Sequence, residues 1–177
     1  MIKFGPVGIF SSNGQTYDHW DYNGRGEISH IYLTADDIGI HMIQFQYIED
    51  GKHVLTSPYG ATWDQYHSGG YFLSNHTIEL DHPNEYLTGI NGRVSTYIGS
   101  ASPTIKTLGF TTNLKEYGPF GRTSCSISRV DPVKPFRFEL GKSRQFGGFY
   151  GSYNKYGLHG IGVYLRPKAS SVKVEKT

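Results

Sequence analysis

The sequence has a single cysteine and no long apolar run, and each shortage excludes a class of protein. Cys125 alone cannot form an internal disulfide, which is typical of proteins in a reducing compartment. There is no apolar stretch of about 18 residues, and no basic segment followed by an apolar leader. We therefore expect a cytoplasmic protein that neither spans a membrane nor uses one as a partner.

Charge is also scarce, since only 18% of residues are charged and the formal net charge is +2. No basic cluster stands outside the C-terminal tail, so we expect no nucleic-acid partner. Glycine and tyrosine, in contrast, are abundant, with 23 and 14 of 177 residues. This composition is typical of an all-β protein with many tight turns, and the length fits one domain with a real core.

Apolar and polar residues alternate along several short segments, and no long segment shows a helical stripe. The alternating segments are residues 28–33, 43–47, 72–74, 77–80 and 136–140. Asp50-Gly51, Asn91-Gly92 and Ser57-Pro58-Tyr59-Gly60 are turn signals that separate such segments. The pattern predicts an all-β fold.

A weak internal repeat refines this prediction. Met42-Ile43-Gln44-Phe45 runs on to Ser57-Pro58-Tyr59-Gly60, and Thr107-Leu108-Gly109-Phe110 runs on to Gly118-Pro119-Phe120-Gly121. A third copy begins at Gly160-Ile161-Gly162-Val163-Tyr164 and is cut off at Arg166-Pro167. Three related strand groups predict a threefold arrangement of sheets around one core. The alternative is that β-proteins reuse glycine-aromatic turns without such symmetry.

In this order, several segments resemble the jacalin-related lectins of plants. They are Pro83-Asn84-Glu85-Tyr86 and residues 104–113, 117–121, 145–151 and 161–165. The resemblance implies a β-prism I with three four-stranded antiparallel sheets and pseudo-threefold symmetry, in a domain of residues 1–167. Within the family, the chain is most similar to a plant member that restricts long-distance movement of potyviruses. Residues 168–177 lack large aromatics, which predicts a disordered tail.

The resemblance also implies a sugar site that needs no metal or other cofactor. In this family, backbone N–H groups of an N-terminal glycine loop and of the loop before the last strand bind the sugar, together with one Asp. The matching positions are Gly8, Tyr156, Gly157, Leu158 and His159. The family's Gly-x-x-x-Asp falls on Lys155 and His159, and its N-terminal glycine pair falls on Gly8-Ile9. Three of the family's marked positions have therefore changed.

Loss of the Asp predicts weakened binding. A neutral His offers one acceptor in place of a carboxylate, and the change would cost about 2–4 kcal/mol, or about 30- to 1000-fold in affinity. Stacking of a pyranose on Tyr97, Tyr153 or Tyr156, or avidity in an oligomer, could compensate. The alternative is that the loop only closes the prism, with His159 as a solvated residue at its rim.

Other polar residues predict neither a metal site nor an enzyme. The histidines at 53, 67, 76 and 82 are scattered without the spacing of metal ligands. The acidic pairs Asp36-Asp37 and Glu49-Asp50 are expected to be solvated turn residues.

Two functions stay open. One is a non-enzymatic lectin-like protein of plant defence that binds mannose- or glucose-type glycans through Gly8 and the loop 156–159. The other is a protein-interaction module that restricts virus spread without binding sugar. Family members commonly pair, so a homo-oligomer is a further option.

Overall fold

The computed structural model describes residues 1–10, 16–23, 27–61, 73–95, 104–122 and 132–166. These residues form thirteen β-strands and no helix. The strands are β1 (Ile2–Gly8), β2 (Asp18–Asn23), β3 (Glu27–Ala35), β4 (Ile40–Glu49), β5 (Lys52–Leu55), β6 (Tyr59–Gly60), β7 (Ser74–Glu79), β8 (Leu87–Ser95), β9 (Ile105–Thr112), β10 (Glu116–Gly121), β11 (Val133–Glu139), β12 (Phe146–Asn154) and β13 (Gly157–Leu165). The predicted tail and Cys125 lie outside the described residues.

The strands form three antiparallel sheets, as predicted. Their orders are β1-β13-β12-β2, β5-β4-β3-β7 and β10-β9-β8-β11. The second sheet has a fifth strand, because the position beside β4 is divided between β5 and β6. In the first sheet the N-terminal strand pairs with the C-terminal one, so the two ends of the chain close the prism.

The third copy of the repeat is completed by the N-terminus rather than cut off. Residues 5–8 lie beside β13 in the same way as residues 57–60 lie beside β4 and residues 118–121 lie beside β9. In each copy, the residue after the last glycine donates its N–H to a carbonyl of the central strand. These bonds are Ile9 to His159 at 3.0 Å, Ala61 to His41 at 2.9 Å and Arg122 to Lys106 at 3.0 Å.

The core lies where the three central strands face one another. Ile43, Leu108 and Ile161 occupy equivalent positions in β4, β9 and β13, and all three are fully buried. Phe45, Phe110 and Phe149 add aromatic volume, with Phe45 stacked on Phe149 at 4.7 Å. Burial of such apolar area is the main stabilising term of the fold.

The predicted corner at Pro83-Asn84-Glu85-Tyr86 forms the end of the prism opposite the β12–β13 turn. Its Glu85 side chain is buried and accepts hydrogen bonds from Thr112 Oγ1 at 2.8 Å, Tyr117 OH at 3.0 Å and the N–H of Asp81 at 3.2 Å. A single carboxylate therefore joins the corner to β9 and β10.

One predicted turn is wrong. Asn91-Gly92 lies inside β8, not in a turn. A Cβ on Gly92 would overlap the carbonyl oxygen of Thr107 and lie 2.9 Å from the ring of Phe136. This glycine therefore serves close packing within the strand rather than chain reversal. In contrast, Asp50-Gly51 does form the predicted turn, with both residues at positive φ.

Candidate functional site

The five predicted site residues meet at one end of the prism. Gly8 ends β1 and pairs with Gly160, next to His159. Tyr156 lies in the two-residue turn between β12 and β13, and residues 157–159 begin β13. The chain's first strand and its last hairpin thus come together as the resemblance implied.

Their side chains, however, differ in what they can reach. Gly8 is exposed, and the side chain of Tyr156 is 57% exposed. Leu158 and His159 are both 0% exposed, and Leu158 belongs to the core. The interpretation of His159 as a solvated rim residue is therefore wrong. A ligand at this end would meet the backbone and the ring of Tyr156.

The buried ring of His159 has a polar partner in Asn154, at the end of β12. Asn154 Oδ1 accepts the backbone N–H of Tyr156 at 2.8 Å and lies 2.8 Å from His159 Nε2. A backbone N–H can only donate, so the amide oxygen must face it. The same oxygen can only accept from His159, which places the imidazole proton on Nε2.

The ring of His159 has a further neighbour in Tyr17, just before β2. Tyr17 packs edge-on against it, with ring centroids 5.0 Å apart. Buried polar groups need such partners, because an unpaired one costs free energy. His159 thus supports the turn from inside, and its Nε2 is directed at Asn154 rather than outward.

The β3–β4 loop repeats this arrangement. Asp36 Oδ1 accepts the N–H of Ile38 at 2.7 Å and of Gly39 at 3.1 Å, and His41 Nε2 lies 2.7 Å from it. In both loops an Asx oxygen accepts the N–H two residues on and lies 2.7–2.8 Å from Nε2 of the His five residues on. The shared motif Asx-x-x-Gly-x-His occurs at residues 36–41 and 154–159. It was visible in the sequence, but the sequence-based prediction did not use it.

The prediction that Asp36 is a solvated turn residue is consequently wrong. Its side chain is 1% exposed and that of His41 is 2% exposed. Burial alone would raise the pKa of the Asp36 carboxyl, but hydrogen bonds from His41 and from the N–H groups of Ile38 and Gly39 outweigh it and lower that pKa. Asp37, beside it, is exposed as expected.

The two loops also touch each other. A Cβ on Gly157 would lie 2.8 Å from the carbonyl oxygen of Ile40 and 3.3 Å from Cα of His41. Gly39 in turn packs against Ile105 in β9, in the second copy of the repeat, where a Cβ would lie 2.7 Å from the carbonyl oxygen. Neighbouring repeats therefore pack backbone against backbone at this end.

Of the two predicted stacking rings that the structure describes, Tyr156 is the exposed one. Tyr153 is half-buried, with its ring centroid 6.2 Å from that of Tyr59, and Tyr59 stacks on Trp20 at 4.5 Å. Burial raises the pKa of Tyr153, with the Asp18 carboxylate adding to the effect. Tyr97 lies outside the described residues.

No group of three or more His, Cys, Asp or Glu in the described ranges is arranged to hold a metal ion. No helix in that part of the chain is long and apolar enough to cross a membrane.

Comparison with known proteins agrees with this architecture. A family model described as "Jacalin-like lectin domain" matches residues 4–164. Jacalin-related lectin 2 of Arabidopsis thaliana is 44% identical over 167 residues, covering 94% of this chain and 86% of that protein. Protein RESTRICTED TEV MOVEMENT 1 of Arabidopsis thaliana is 43% identical over 175 residues, covering 98% and 92%.

Among solved structures, a mannose-binding jacalin-related lectin from Ananas comosus superimposes with a TM-score of 0.67. Its sequence is 28% identical, and the match covers 94% of this chain and 97% of that one. The β-prism is therefore shared over nearly the whole length of both proteins.

Proposed function

This chain belongs to the jacalin-like lectin family, and we propose that it is a non-enzymatic, lectin-like protein of plant defence that restricts the movement of viruses. Support comes from its similarity to RESTRICTED TEV MOVEMENT 1, which extends over 98% of this chain and 92% of that protein. We further propose that it acts in the cytoplasm. A fluorescent fusion in leaf cells tests this location.

We also propose weak binding of mannose- or glucose-type glycans at the end formed by Gly8 and residues 156–159. The observation that carries this proposal is the meeting of exposed Gly8 with the β12–β13 turn, where a Cβ on Gly8 would overlap the backbone of His159. Backbone this close to the surface, beside an exposed Tyr156 ring, suits a sugar held by few side chains.

Binding is expected to be weak because position 159 carries no carboxylate. His159 takes the place of the family's Asp, and it is buried with Nε2 directed at Asn154. No charge-assisted hydrogen bond then comes from position 159, so affinity falls by at least the about 30- to 1000-fold expected for a His that kept one acceptor.

A second candidate function is recognition of a protein partner without sugar. It is favoured by the exposed apolar side chains on the edge strand β1. Met1, Ile2 and Phe4 are 55%, 50% and 47% exposed. Apolar groups clustered on one edge are suited to a protein interface or to a second copy of the chain.

Backbone amide shifts on addition of sugar distinguish the two functions. We expect millimolar mannose or glucose, but not galactose, to shift the amides of residues 8 and 156–158. The Asp50-Gly51 turn, remote in the second sheet, serves as the internal control. Silence with all three sugars would remove the glycan part and favour the protein partner.

Virus restriction needs a test in plants. Expression of the chain in a susceptible plant is expected to reduce virus in upper leaves while virus in the inoculated leaf stays the same. Equal virus in upper leaves with and without the chain would contradict this part of the proposal.

A further inference from the structure

The turn between β12 and β13 is held by its own side chains. The N–H of Tyr156 points to Asn154 Oδ1 at 2.8 Å, although the Tyr156 side chain is 57% exposed. His159 Nε2 meets the same oxygen at 2.8 Å from the buried side. A donor at the tip of the turn is thereby committed to an internal bond.

The same arrangement in the β3–β4 loop indicates that it is a built feature. There, Asp36 replaces Asn154 as the acceptor, while Ile38 and His41 take the places of Tyr156 and His159. An Asp therefore performs the acceptor role as well as an Asn does. The same sequence pattern thus gives the same arrangement at equivalent positions of two repeats.

We propose that Asn154 and His159 form a clamp that closes the turn to sugar, with Asn154 setting the affinity of this end of the prism. A sugar hydroxyl that approaches the Tyr156 N–H must displace Asn154 Oδ1. That displacement would leave the buried Nε2–H of His159 without this acceptor, which opposes binding. His159 is a positioning residue, since it acts through Asn154. This inference rests on the proposed glycan site.

The test uses the full chain with Asn154→Ala, the conservative variant Asn154→Asp and the control Lys52→Ala. Lys52 is exposed at the start of β5, beside the remote Asp50-Gly51 turn, and has no part in the clamp or the candidate sugar site. Two quantities are measured for each protein: the hydrogen-exchange rate of the Tyr156 amide, and the affinity for methyl α-mannoside from amide shifts.

We expect Asn154→Ala to speed exchange of the Tyr156 amide about 5-fold or more, the equivalent of one neutral hydrogen bond. We expect the same variant to bind the mannoside about 3- to 10-fold more tightly. Asn154→Asp retains an acceptor, as Asp36 does, and should exchange like the parent chain. Lys52→Ala should match the parent in both measurements. If Asn154→Ala does not fold, Asn154→Gly replaces it.

Unchanged exchange in Asn154→Ala would overturn the clamp. Faster exchange with unchanged mannoside affinity would overturn its control of the site while leaving the proposed glycan binding intact. Absence of mannoside binding in every protein, including Asn154→Ala, would instead contradict the glycan site itself. The proposed control of that site by the clamp would then fall as well.

Discussion

Gly8 approaches the backbone of His159 so closely that no side chain fits at position 8. Its φ is +90°, and a Cβ there would overlap the His159 carbonyl oxygen and lie 2.9 Å from Cα of Gly160. This contact attaches β1 to β13 beside the candidate sugar site. It also gives Gly8 a specific role in the three-copy repeat.

Gly8→Ala is therefore expected to lower the free energy of unfolding by about 3 kcal/mol, since it adds a collision to an unfavourable φ. Urea unfolding measures this. Gly51→Ala is the matched control, because Gly51 has φ +74° but nothing within 4 Å of a Cβ. It should lose only about 1 kcal/mol. Equal losses for both would show that the contact with His159 contributes nothing.

Asp36 predicts a pH dependence. Its folded-state pKa is lowered from the ordinary value of 3.8, so its stabilising contribution is present above that value and is lost as the pH falls through the folded-state pKa. Asp36→Asn should destabilise the protein by about 1–3 kcal/mol at pH 7. The difference from the parent chain should shrink at about pH 3. A difference that stays constant over this range would rule out the ionised carboxylate as the cause.

Glu85 predicts a large effect far from the candidate sugar site. Glu85→Ala removes the acceptor for Thr112, Tyr117 and the corner, and should cost about 3 kcal/mol. Glu116→Ala, at an exposed position of β10, should stay within about 0.5 kcal/mol of the parent chain. Thermal or urea unfolding of the two variants gives the comparison, and similar losses would contradict the role assigned to Glu85.

Lys3 secures the N-terminal strand. Its Nζ lies 4.0 Å from the ring centroid of Tyr150 and 3.4 Å from Asp21 Oδ2. Lys3→Ala should destabilise the protein by about 1 kcal/mol and speed amide exchange in β1. Lys155→Ala removes a lysine over the exposed ring of Tyr156 and should leave stability unchanged. If amide exchange in β1 is as slow in Lys3→Ala as in the parent chain, strand pairing alone holds β1.

Much of the fold was predictable because β-structure leaves a local record. Alternation placed β3, β4 and β11, and Asp50-Gly51 identified a hairpin. Asn91-Gly92 was misjudged because a glycine in a strand and a glycine in a turn look alike in sequence. Only Phe136 and the Thr107 carbonyl, which belong to neighbouring strands, reveal which one it is.

The sequence predicted which segments of the chain meet at the candidate site, but it did not predict the burial of His159. Family resemblance brought Gly8 to the β12–β13 turn, yet nothing local indicated that His159 would be buried. Nearly every residue of β13 is buried, because rings of Phe10 and Tyr150 lie over Gly160 and Gly162 on its outer face. Glycines show no alternation, so the sequence cannot report that both faces of this strand are covered.

The sequence by itself determined the class of fold and the threefold repeat, since each follows from residue type and spacing. Tertiary structure alone decided that β1 completes the third repeat, that Asp36 and His159 are buried, and that Asn154 commits the N–H of Tyr156. The physical reason is that burial and hydrogen-bond partners depend on segments far apart in the chain. Only packing of the three sheets brings those segments together.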